Sequence, residues 1–338
     1  MIIKECQTRQ NNTAATSDRK ELSERIRQMA RERRAVILAH YYTRPEIQGL
    51  ADFIGDSLAL ARKAAETEAE VIVMCGVHFM AETCKLLSPE KTVLCPDLEA
   101  GCSLADSQPA EALADFKKEH PEALVVSYVN TTAAVKALTD VVVTSGNALR
   151  IVSQLPEDRE IIFGPDYNLG SYIQQMTGRK MLLWPGGCHV HQRFSVEGIL
   201  AMKRQYPEAV VMAHLECKGP VLALAEVKGS TADMLRYAQQ HPEQTYIVAT
   251  EAGILAEMKR TCPDTVFLPV PPEVTEGEQL AGSVSAASSC SCNECEYMKL
   301  NTLEKLYACL RAGQPQISID PQIARQAVKP IQRMLEMS

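Results

Sequence analysis

Cysteines are the first residues of this 338-residue sequence that could do chemistry, because the sequence contains twelve of them. Three are crowded into the motif Cys290-Ser-Cys292-Asn-Glu-Cys295, which is a good local metal signature. A zinc ribbon would need a second matching pair nearby, and the sequence has none. The spacing also differs from the C-x2-C-x2-C run of bacterial ferredoxins. A disulfide between Cys292 and Cys295 is the redox alternative.

Two more cysteines stand in loops that follow short apolar segments: Cys102 in EAGCSLAD and Cys188 in PGGCHVH. One thiolate from each of these loops and one from the 290–295 motif would bind three irons of a four-iron cluster. The fourth iron would then be open to substrate oxygens and would polarise them as a Lewis acid. Clusters that transfer electrons are usually fully ligated. The arrangement therefore favours hydration or dehydration chemistry.

The remaining cysteines suit a different role. We predict buried core thiols at four positions in apolar settings, namely Cys75, Cys84, Cys95 and Cys309. Twelve cysteines in a secreted chain would suggest disulfides. The first residues, MIIKECQTRQNN, contain no apolar segment of the signal-peptide type. The expected location is therefore the cytoplasm.

Composition limits the class of protein. Hydrophobic residues make up 46% of the chain and charged residues 23%, which is typical of a soluble globular protein. No apolar run reaches the length of a membrane span. The net charge of −7 argues against a nucleic acid or an anionic membrane as the main partner. Small anionic substrates remain compatible with it, because helix ends can bind them locally.

The elements that must position the reactive residues alternate along the chain. After a polar stretch over residues 1–16, we predict a helix from Asp18, where Asp18 and Glu21 fit a capping box. Short apolar strands then alternate with longer amphipathic segments, which predicts parallel sheets covered by helices. The predicted strands are AVILAH, EVIVMCG, TVLCP, ALVVSYVN, VVVTSG, EIIFGP, KMLLWPG, AVVMAHLE, TYIVATE and TVFLPV.

The same order of features occurs three times along the chain. Three strands end in polar residues, namely His40-Tyr41-Tyr42, Tyr128-Val129-Asn130 and His214-Leu215-Glu216. Each is followed by a turn predicted to open a helix, namely Gly55-Asp56-Ser57, Thr144-Ser145-Gly146 and Gly229-Ser230-Thr231. Three related units around a pseudo-threefold axis would bring their strand ends, helix starts and cysteine loops to one centre.

That centre would combine anion binding with proton transfer. The N-termini of helices attract anions, and hydroxyls there add donors, although each hydroxyl could serve only as an N-cap. The hydroxyls are those of Ser57, Ser145, Ser230 and Thr231. The proton-transfer types are His40, Tyr42, Tyr128, His214 and Glu216. A lone His or Tyr at a strand end is usually structural, but the matched positions in three units favour a functional role here. Three helix ends that face one centre suggest an anionic substrate with several carboxylates or a phosphate.

Eight segments of the sequence together resemble the quinolinate synthase family. They are AHYYTRPEIQGLADFIGDS, GVHFMAETCKLLSPEKTVLCPDLEAGCSLAD, SYVNTTAAVKALTDVVVTSGNA, WPGGCHVH, HLEC, KGSTADML, ATEAGIL and NECEYMKLNTLEKLY. The resemblance covers about residues 22–312. It implies three α/β domains, with αβα sandwiches and parallel sheets, around a pseudo-threefold axis. It also implies a [4Fe-4S] cluster with an open iron, and the condensation of iminoaspartate with dihydroxyacetone phosphate to quinolinate, phosphate and two waters.

The resemblance also assigns residues. It implies Cys102, Cys188 and Cys295 as cluster ligands, because the third ligand of the family directly precedes the segment that here reads EYMK. It implies an active site made of His40, Tyr42, Ser57, Tyr128, Asn130, Ser145, His191, His214, Glu216, Ser230 and Thr231. Two positions depart from the family pattern: Cys84 replaces a small residue, and Glu296 replaces a proline after the third ligand.

These inferences give an expected organisation. We predict a mobile extension over residues 1–20, domains over 21–104 and 105–189, and a third domain over 190–338 whose C-terminal helices pack on the first. The supplier of iminoaspartate would be an L-aspartate oxidase or an aspartate dehydrogenase. Two rivals remain open, a cluster-dependent hydro-lyase for a small hydroxy acid and an iron–sulfur redox sensor with Cys290, Cys292 and Cys295 in its sensing loop. A sensor would normally carry a basic patch or a helix-turn-helix pattern, and neither is evident.

Overall fold

Three four-stranded parallel sheets with helices on their faces make up the protein, as seen in a computed structural model that describes residues 18–273 and 293–338. The strand order within the sheets is β2-β1-β3-β4, β6-β5-β7-β8 and β10-β9-β11-β12, so all three have the same topology. We call these parts the first, second and third units. The predicted α/β class and the predicted repeat of similar units are both confirmed.

The first unit begins with a helix seen over residues 18–32. Its strands are β1 (Ala35–His40), β2 (Phe53–Gly55), β3 (Val71–Cys75) and β4 (Thr92–Leu94). Its other helices are Pro45–Gln48, Ser57–Glu66, His78–Leu87 and Ser103–Ser107. The central strands are runs of Val, Ile and Leu because helices cover both faces of a parallel sheet.

The second unit repeats this order. Its strands are β5 (Leu124–Tyr128), β6 (Val141–Val143), β7 (Ile161–Gly164) and β8 (Met181–Leu183). Its helices are Ala110–Glu119, Ala133–Lys136, Ala148–Val152, Tyr167–Thr177 and the 3-10 turn His191–Arg193. Asp166 caps one of these helices, since its carboxyl accepts the N–H of Leu169 at 2.7 Å.

The third unit repeats it again. Its strands are β9 (Val210–His214), β10 (Val227–Gly229), β11 (Thr245–Ala249) and β12 (Val266–Pro269). Its helices are Val196–Gln205, Gly219–Leu224, Thr231–Gln240, Ile254–Thr261 and Glu296–Lys299. Cys290 and Cys292, and with them the predicted redox pairing, lie outside the described residues.

The C-terminal helices return to the earlier units. Helix Leu303–Ala312 buries Leu306 and Leu310 in the same apolar cluster as Ile26 and Ile37 of the first unit. Helix Pro321–Met337 packs on β6 and on helices of the second and first units. No helix in the described parts of the chain combines the length and apolar character that a membrane crossing needs. Because they are almost fully buried, the four predicted core thiols are confirmed, namely Cys75, Cys84, Cys95 and Cys309.

A repeated hydrogen bond fixes the first strand of each unit. An acidic side chain just before the second strand accepts the N–H of a residue in the first strand. The pairs are Asp52 with Ile37 at 2.7 Å, Asp140 with Val125 at 2.8 Å, and Glu226 with Val211 at 2.9 Å. In every pair the two residues are 15 positions apart. The same hydrogen bond therefore holds the first strand of each unit against the segment that leads into the second strand.

The structure departs from the predictions at two kinds of element. The edge strands β2 and β10 were not predicted, because each is three residues long and ends in glycine. The predicted turn at Thr144-Ser145-Gly146 is present, but it extends to Asn147, so the helix that follows begins at Ala148. The reason is local, since the Asn147 side chain accepts the N–H of Thr144 at 2.6 Å and closes the turn first.

Candidate active site

One cavity lies beyond the C-terminal ends of the first strands of all three units. His40, Tyr128 and His214 are the last residues of β1, β5 and β9, and all three line it. The other predicted site residues that line it are Tyr42, Ser57, Cys102, Asn130, Ser145, Cys188, His191, Glu216, Thr231 and Cys295. Residues up to 255 positions apart in sequence therefore meet in one cavity, as in other open parallel sheets.

Ser230 is the predicted site residue that is absent from this lining. Its hydroxyl accepts the N–H of Asp233 at 3.2 Å and its own backbone N–H donates to the Asp233 carboxyl at 3.0 Å, which forms a capping box at the start of helix Thr231–Gln240. The hydroxyl also donates to the same carboxyl at 2.7 Å. Its neighbour Thr231 faces the cavity instead. Ser230 thus stabilises the first turn of this helix.

The three predicted ligand cysteines lie in matching local structures. Cys102 and Cys295 each occupy the residue before a short helix, and Cys188 lies three residues before the 3-10 turn. Each sulfur faces the N–H of the residue three positions later, which is Ala105, His191 or Met298. Burial raises the pKa of Cys102 and Cys295 to about 12, and it raises the pKa of Cys188 well above its ordinary value. Metal ions would stabilise the thiolates that burial disfavours.

The spacing of possible ligands separates a cluster from a single ion. Cys188, His191 and Glu216 form a compact group whose ligand atoms lie within 4.8 Å of one another. Within residues 18–273 and 293–338, the three cysteine sulfurs form no group this compact, although their charges would interact. A cluster spreads its thiolates over several metal atoms. The three cysteines therefore fit a cluster better than one ion.

The two first-strand histidines share one tautomer. Nδ1 of His40 accepts the N–H of Tyr42 at 3.2 Å, and Nδ1 of His214 accepts the N–H of Glu216 at 3.3 Å. Each ring therefore carries its proton on Nε2. Burial lowers the pKa of His40 to about 3 and the pKa of His214 to about 4. Both rings are neutral N–H donors near neutral pH.

Glu216 is a buried carboxylate with close donors on both oxygens. The hydroxyl of Tyr128 donates to Oε1 at 2.5 Å, and Nδ1 of His191 lies 2.8 Å from Oε2. Burial by itself raises the pKa of Glu216, but the rings of His191 and His214 and the Tyr128 hydroxyl outweigh burial and hold this pKa below its ordinary value. Glu216 is therefore ionised while it is surrounded by these donors.

A chain of hydrogen bonds joins Tyr42 to Glu216 through residues of the second and third units. A carboxylate only accepts, so His191 Nδ1 donates to Glu216 and its Nε2 accepts from the Thr250 hydroxyl at 2.9 Å. The Thr250 oxygen then accepts the Tyr42 hydroxyl at 2.8 Å. Burial raises the pKa of Tyr42 well above its ordinary value, so Tyr42 enters the chain as a neutral donor.

Several polar atoms in the lining have no hydrogen-bond partner among the described residues. They are Asn130 Oδ1, Thr144 Oγ1 and His189 Nε2. Buried polar atoms are usually hydrogen-bonded, so these three suit a bound polar ligand. No Lys or Arg belongs to the lining among the described residues. An anionic ligand would therefore meet neutral N–H and O–H donors.

Four residues near the site were not predicted. Thr250 and Glu251 follow β11, Lys299 ends the helix after Cys295, and Asp166 follows β7. The repeat carried a usable signal, because Asp166 and Glu251 are both two positions beyond the third strand of their units. Thr250 and Lys299 both contact Tyr42, which is 208 and 257 positions away in sequence, so their roles were not evident from the sequence.

Comparison with known proteins agrees with the resemblance to the quinolinate synthase family. The family profile described as "NadA: Quinolinate synthetase A protein" matches residues 24–336. A quinolinate synthase of Prochlorococcus marinus (strain MIT 9303) is 53% identical over 95% of this chain and 92% of its own length. Those of Rippkaea orientalis and Chloroherpeton thalassium are 53% and 49% identical, over 93% and 94% of this chain and 92% and 95% of their own lengths.

Proposed function

This chain belongs to the quinolinate synthetase A family, and we propose that it makes quinolinate for NAD biosynthesis. The substrates would be iminoaspartate and dihydroxyacetone phosphate. Their condensation releases phosphate and two waters, so it balances without an oxidant or a reductant. The observation that carries the proposal is the meeting of one cysteine from each unit with Glu216 in a single cavity.

We propose Cys102, Cys188 and Cys295 as the ligands of a [4Fe-4S] cluster. The support is their position at or near the start of short helices, their shared cavity, and sulfurs that lie further apart than the ligand atoms of the compact Cys188–His191–Glu216 group. When bound, the cluster supplies a Lewis-acidic iron that has no protein ligand. Such an iron is open to oxidants, so activity should decline in air as the cluster is lost.

Neutral donors would seat the anionic substrates. His40 and His214 present Nε2–H groups to them, while the side-chain oxygen of Asn130 would accept a hydrogen bond from a hydroxyl or N–H group of a substrate. The phosphate would lie towards Ser57, Ser145 and Thr231, and the capping box of Ser230 would hold Thr231 in place. Two long helices begin here, so their dipoles would favour a bound anion.

Glu216 would act as the general base that removes a proton from carbon. Its ionised carboxylate lines the cavity, and a base of this kind must approach the substrate proton to within about 2.6–3.2 Å. Glu216 must then lose this proton before the next turnover, and the His191–Thr250–Tyr42 chain would carry it away once the hydrogen bonds of the chain reverse direction. His214 orients the substrate, and Tyr128 holds the carboxylate.

The wider setting follows from the chemistry of the substrates. Iminoaspartate is a reactive imine, so an L-aspartate oxidase or an aspartate dehydrogenase would have to supply it close by. We place the reaction in the cytoplasm, where a reducing environment preserves thiolates and the cluster.

An anaerobic assay tests the proposed function. The chain would be reconstituted with iron and sulfide and given dihydroxyacetone phosphate with iminoaspartate generated from oxaloacetate and ammonia. We expect equal amounts of quinolinate and phosphate, measured by mass spectrometry and a phosphate assay. A fully loaded protein that forms no quinolinate would overturn the proposal.

The ligand set has its own test. Serine at Cys102, Cys188 or Cys295 should abolish the brown absorbance of the cluster, because each thiolate binds one iron. Cys84→Ser and Cys292→Ser serve as controls and should retain the absorbance. Loss in Cys292→Ser combined with retention in Cys295→Ser would contradict the choice of Cys295.

A further inference from the structure

Glu251 is a fully buried carboxylate that no step of the proposed reaction uses. It lies two residues beyond β11, and its Oε1 accepts the backbone N–H of Cys295 at 2.9 Å. Its Oε2 accepts the N–H of Gly253 at 2.6 Å. Both oxygens are thus used to hold backbone, and one of the two donors is a proposed cluster ligand.

Lys299 completes the arrangement from the other side of the same loop. Its Nζ lies 2.9 Å from Glu251 Oε1 and donates to the backbone carbonyl of Tyr42 at 2.8 Å. Its own carbonyl accepts from Nε of Arg44 at 2.7 Å. The short helix after Cys295 is therefore bound to the first unit through both the side-chain amine and the backbone carbonyl of Lys299.

The backbone around the pair is packed closely enough to require glycine at one position. A Cβ on Gly253 would lie 2.7 Å from Glu251 Oε2, 2.8 Å from the Tyr42 Cα and 2.9 Å from Lys299 Nζ. Real Cβ atoms do not approach other atoms so closely. The ion pair, the strand end and the Tyr42 backbone therefore form one compact unit.

The other two units hold their cysteines differently. In the second unit the Cys188 amide faces the carboxyl of Asp166, which forms no ion pair with a described residue and whose Oδ2 accepts no hydrogen bond from one. In the first unit the matching position is Val77, and the loop before Cys102 is held by a backbone bond from His78 to Ala100 at 2.7 Å. An ion pair at this position is thus a feature of the Cys295 loop.

We propose that Glu251 and Lys299 form a buried clamp. The clamp positions Cys295 for cluster binding and holds the Cys295 loop next to the Tyr42 backbone. The inference rests on the proposed function for its purpose, since Cys295 is there a cluster ligand. The clamp itself is a property of the chain and exists without metal. Glu251 and Lys299 are positioning residues, because they act through the Cys295 backbone and the Tyr42 backbone.

The test measures thiol alkylation in cluster-free protein, with mass spectrometry reading Cys295, Cys102 and Cys188 separately. Glu251→Gln removes the charged acceptor of the Cys295 N–H, and Lys299→Met removes the cation that holds Glu251 and the Tyr42 carbonyl together, so each should raise the Cys295 rate roughly tenfold or more. The other two cysteines should keep their rates. Glu294→Gln is the matched control, because that carboxylate also approaches Lys299, at 3.8 Å, but is 54% exposed.

Using both variants separates position from charge. Removing the Glu251 charge favours the Cys295 thiolate, whereas removing the Lys299 charge disfavours it. A purely electrostatic effect would therefore raise the rate in one variant and lower it in the other. Such opposite changes, an unchanged Cys295 rate in both variants, or an equal rise at all three cysteines would overturn the clamp.

Two further measurements keep the question decidable. In the wild-type chain, hydrogen exchange should show the Cys295 amide protected at least about a hundredfold more than the Glu294 amide; equal exchange would overturn the clamp even if the variants do not fold. In loaded protein, a chelator should remove iron faster from Lys299→Met than from Glu294→Gln. If the wild type binds no iron, the proposed function fails while alkylation still decides the clamp.

Discussion

The ends of β1 and β9 carry the same histidine in the same tautomer, but the residue two positions later differs. In the first unit Tyr42 follows His40, and in the third unit Glu216 follows His214. Both imidazoles accept the backbone N–H of that later residue. One repeated backbone frame therefore presents a neutral phenol on one side of the cavity and a carboxylate on the other.

The difference teaches how a repeat can build an asymmetric site. Among the described residues, the Tyr42 hydroxyl is linked to Glu216 through Thr250 and His191 and not by a direct hydrogen bond. The second unit contributes Tyr128, which donates directly to Glu216. The three units thus supply a base, its direct donor and a distant donor.

The largest effect is expected in Glu216→Gln, which removes the carboxylate that distinguishes the third unit from the first. The amide keeps the shape of the side chain but cannot take a proton, so single-turnover rates at saturating substrate should fall by about 10²–10⁴. The cluster absorbance should remain. If the saturated rate is nearly intact and only the concentration for half-saturation rises, Glu216 seats substrate and is not the base.

A smaller effect is expected in Tyr42→Phe. The variant removes the hydroxyl that begins the chain while its ring can still pack against His40, whose centroid lies 4.5 Å away. Multiple-turnover rates should fall by about tenfold to a hundredfold, because restoring the base then depends on solvent. The first turnover should be affected less. Equal losses in both regimes would argue that the phenol acts in the chemical step itself.

Thr250→Val interrupts the same chain without touching either end. Valine has the same shape but no hydroxyl, so it leaves His191 Nε2 and the Tyr42 hydroxyl without their shared partner. We expect a loss of about tenfold in turnover, similar to or smaller than that of Tyr42→Phe. The double variant Tyr42→Phe/Thr250→Val should turn over no more slowly than the slower of the two single variants. Additive losses in turnover would contradict a continuous chain.

Part of this picture could be predicted from the sequence, and the reasons for the limits are physical. The spacing of strand ends located His40, Tyr128 and His214 because polar residues after an apolar run are a local signal. Thr250 was missed because its role depends on Tyr42, 208 positions away. Ser230 does not line the cavity, and its N-cap role, which the sequence left open, is indicated by Asp233 three residues later as a capping-box signal.

The fold shows the same division. The strand β6 was predicted because it consists of three valines, whereas β2 ends in Phe-Ile-Gly and β10 reads Val-Lys-Gly. Those two edge strands form through pairing with β1 and β9, which composition does not reveal. Their spacing from β6 matches the repeat of the strand ends. Applying the repeat to the strands themselves would have found both.

The smallest effect concerns acid stability of the cluster-free chain. The folded pKa values of His40 and His214, about 3 and about 4, lie below the unfolded value, so unfolded histidine binds protons first as pH falls. Stability is therefore lost on acidification below about pH 6.5. Between pH 6.5 and 5, each ring should cost about 1.5 kcal/mol of unfolding free energy.

Urea unfolding of His40→Gln and His214→Gln at pH 6.5 and pH 5 measures how much each histidine contributes to this loss of unfolding free energy. Each variant should lose less stability than the wild type between these two pH values, and the two reductions should be similar. Carboxyl groups remain ionised in the unfolded chain over this range, so they contribute little to the difference between variants. Wild-type sensitivity in either variant would mean that the ring in question is already charged or exposed.

The central claim is that three cysteines, one from each unit, hold a four-iron cluster with one iron free of protein ligands. Mössbauer spectroscopy of the anaerobically reconstituted chain, enriched in ⁵⁷Fe, tests it most directly. The account predicts one iron site in four whose signal changes when quinolinate is added, while the other three stay constant. Four sites that are all indifferent to quinolinate, or a two-iron or single-ion spectrum, would contradict it.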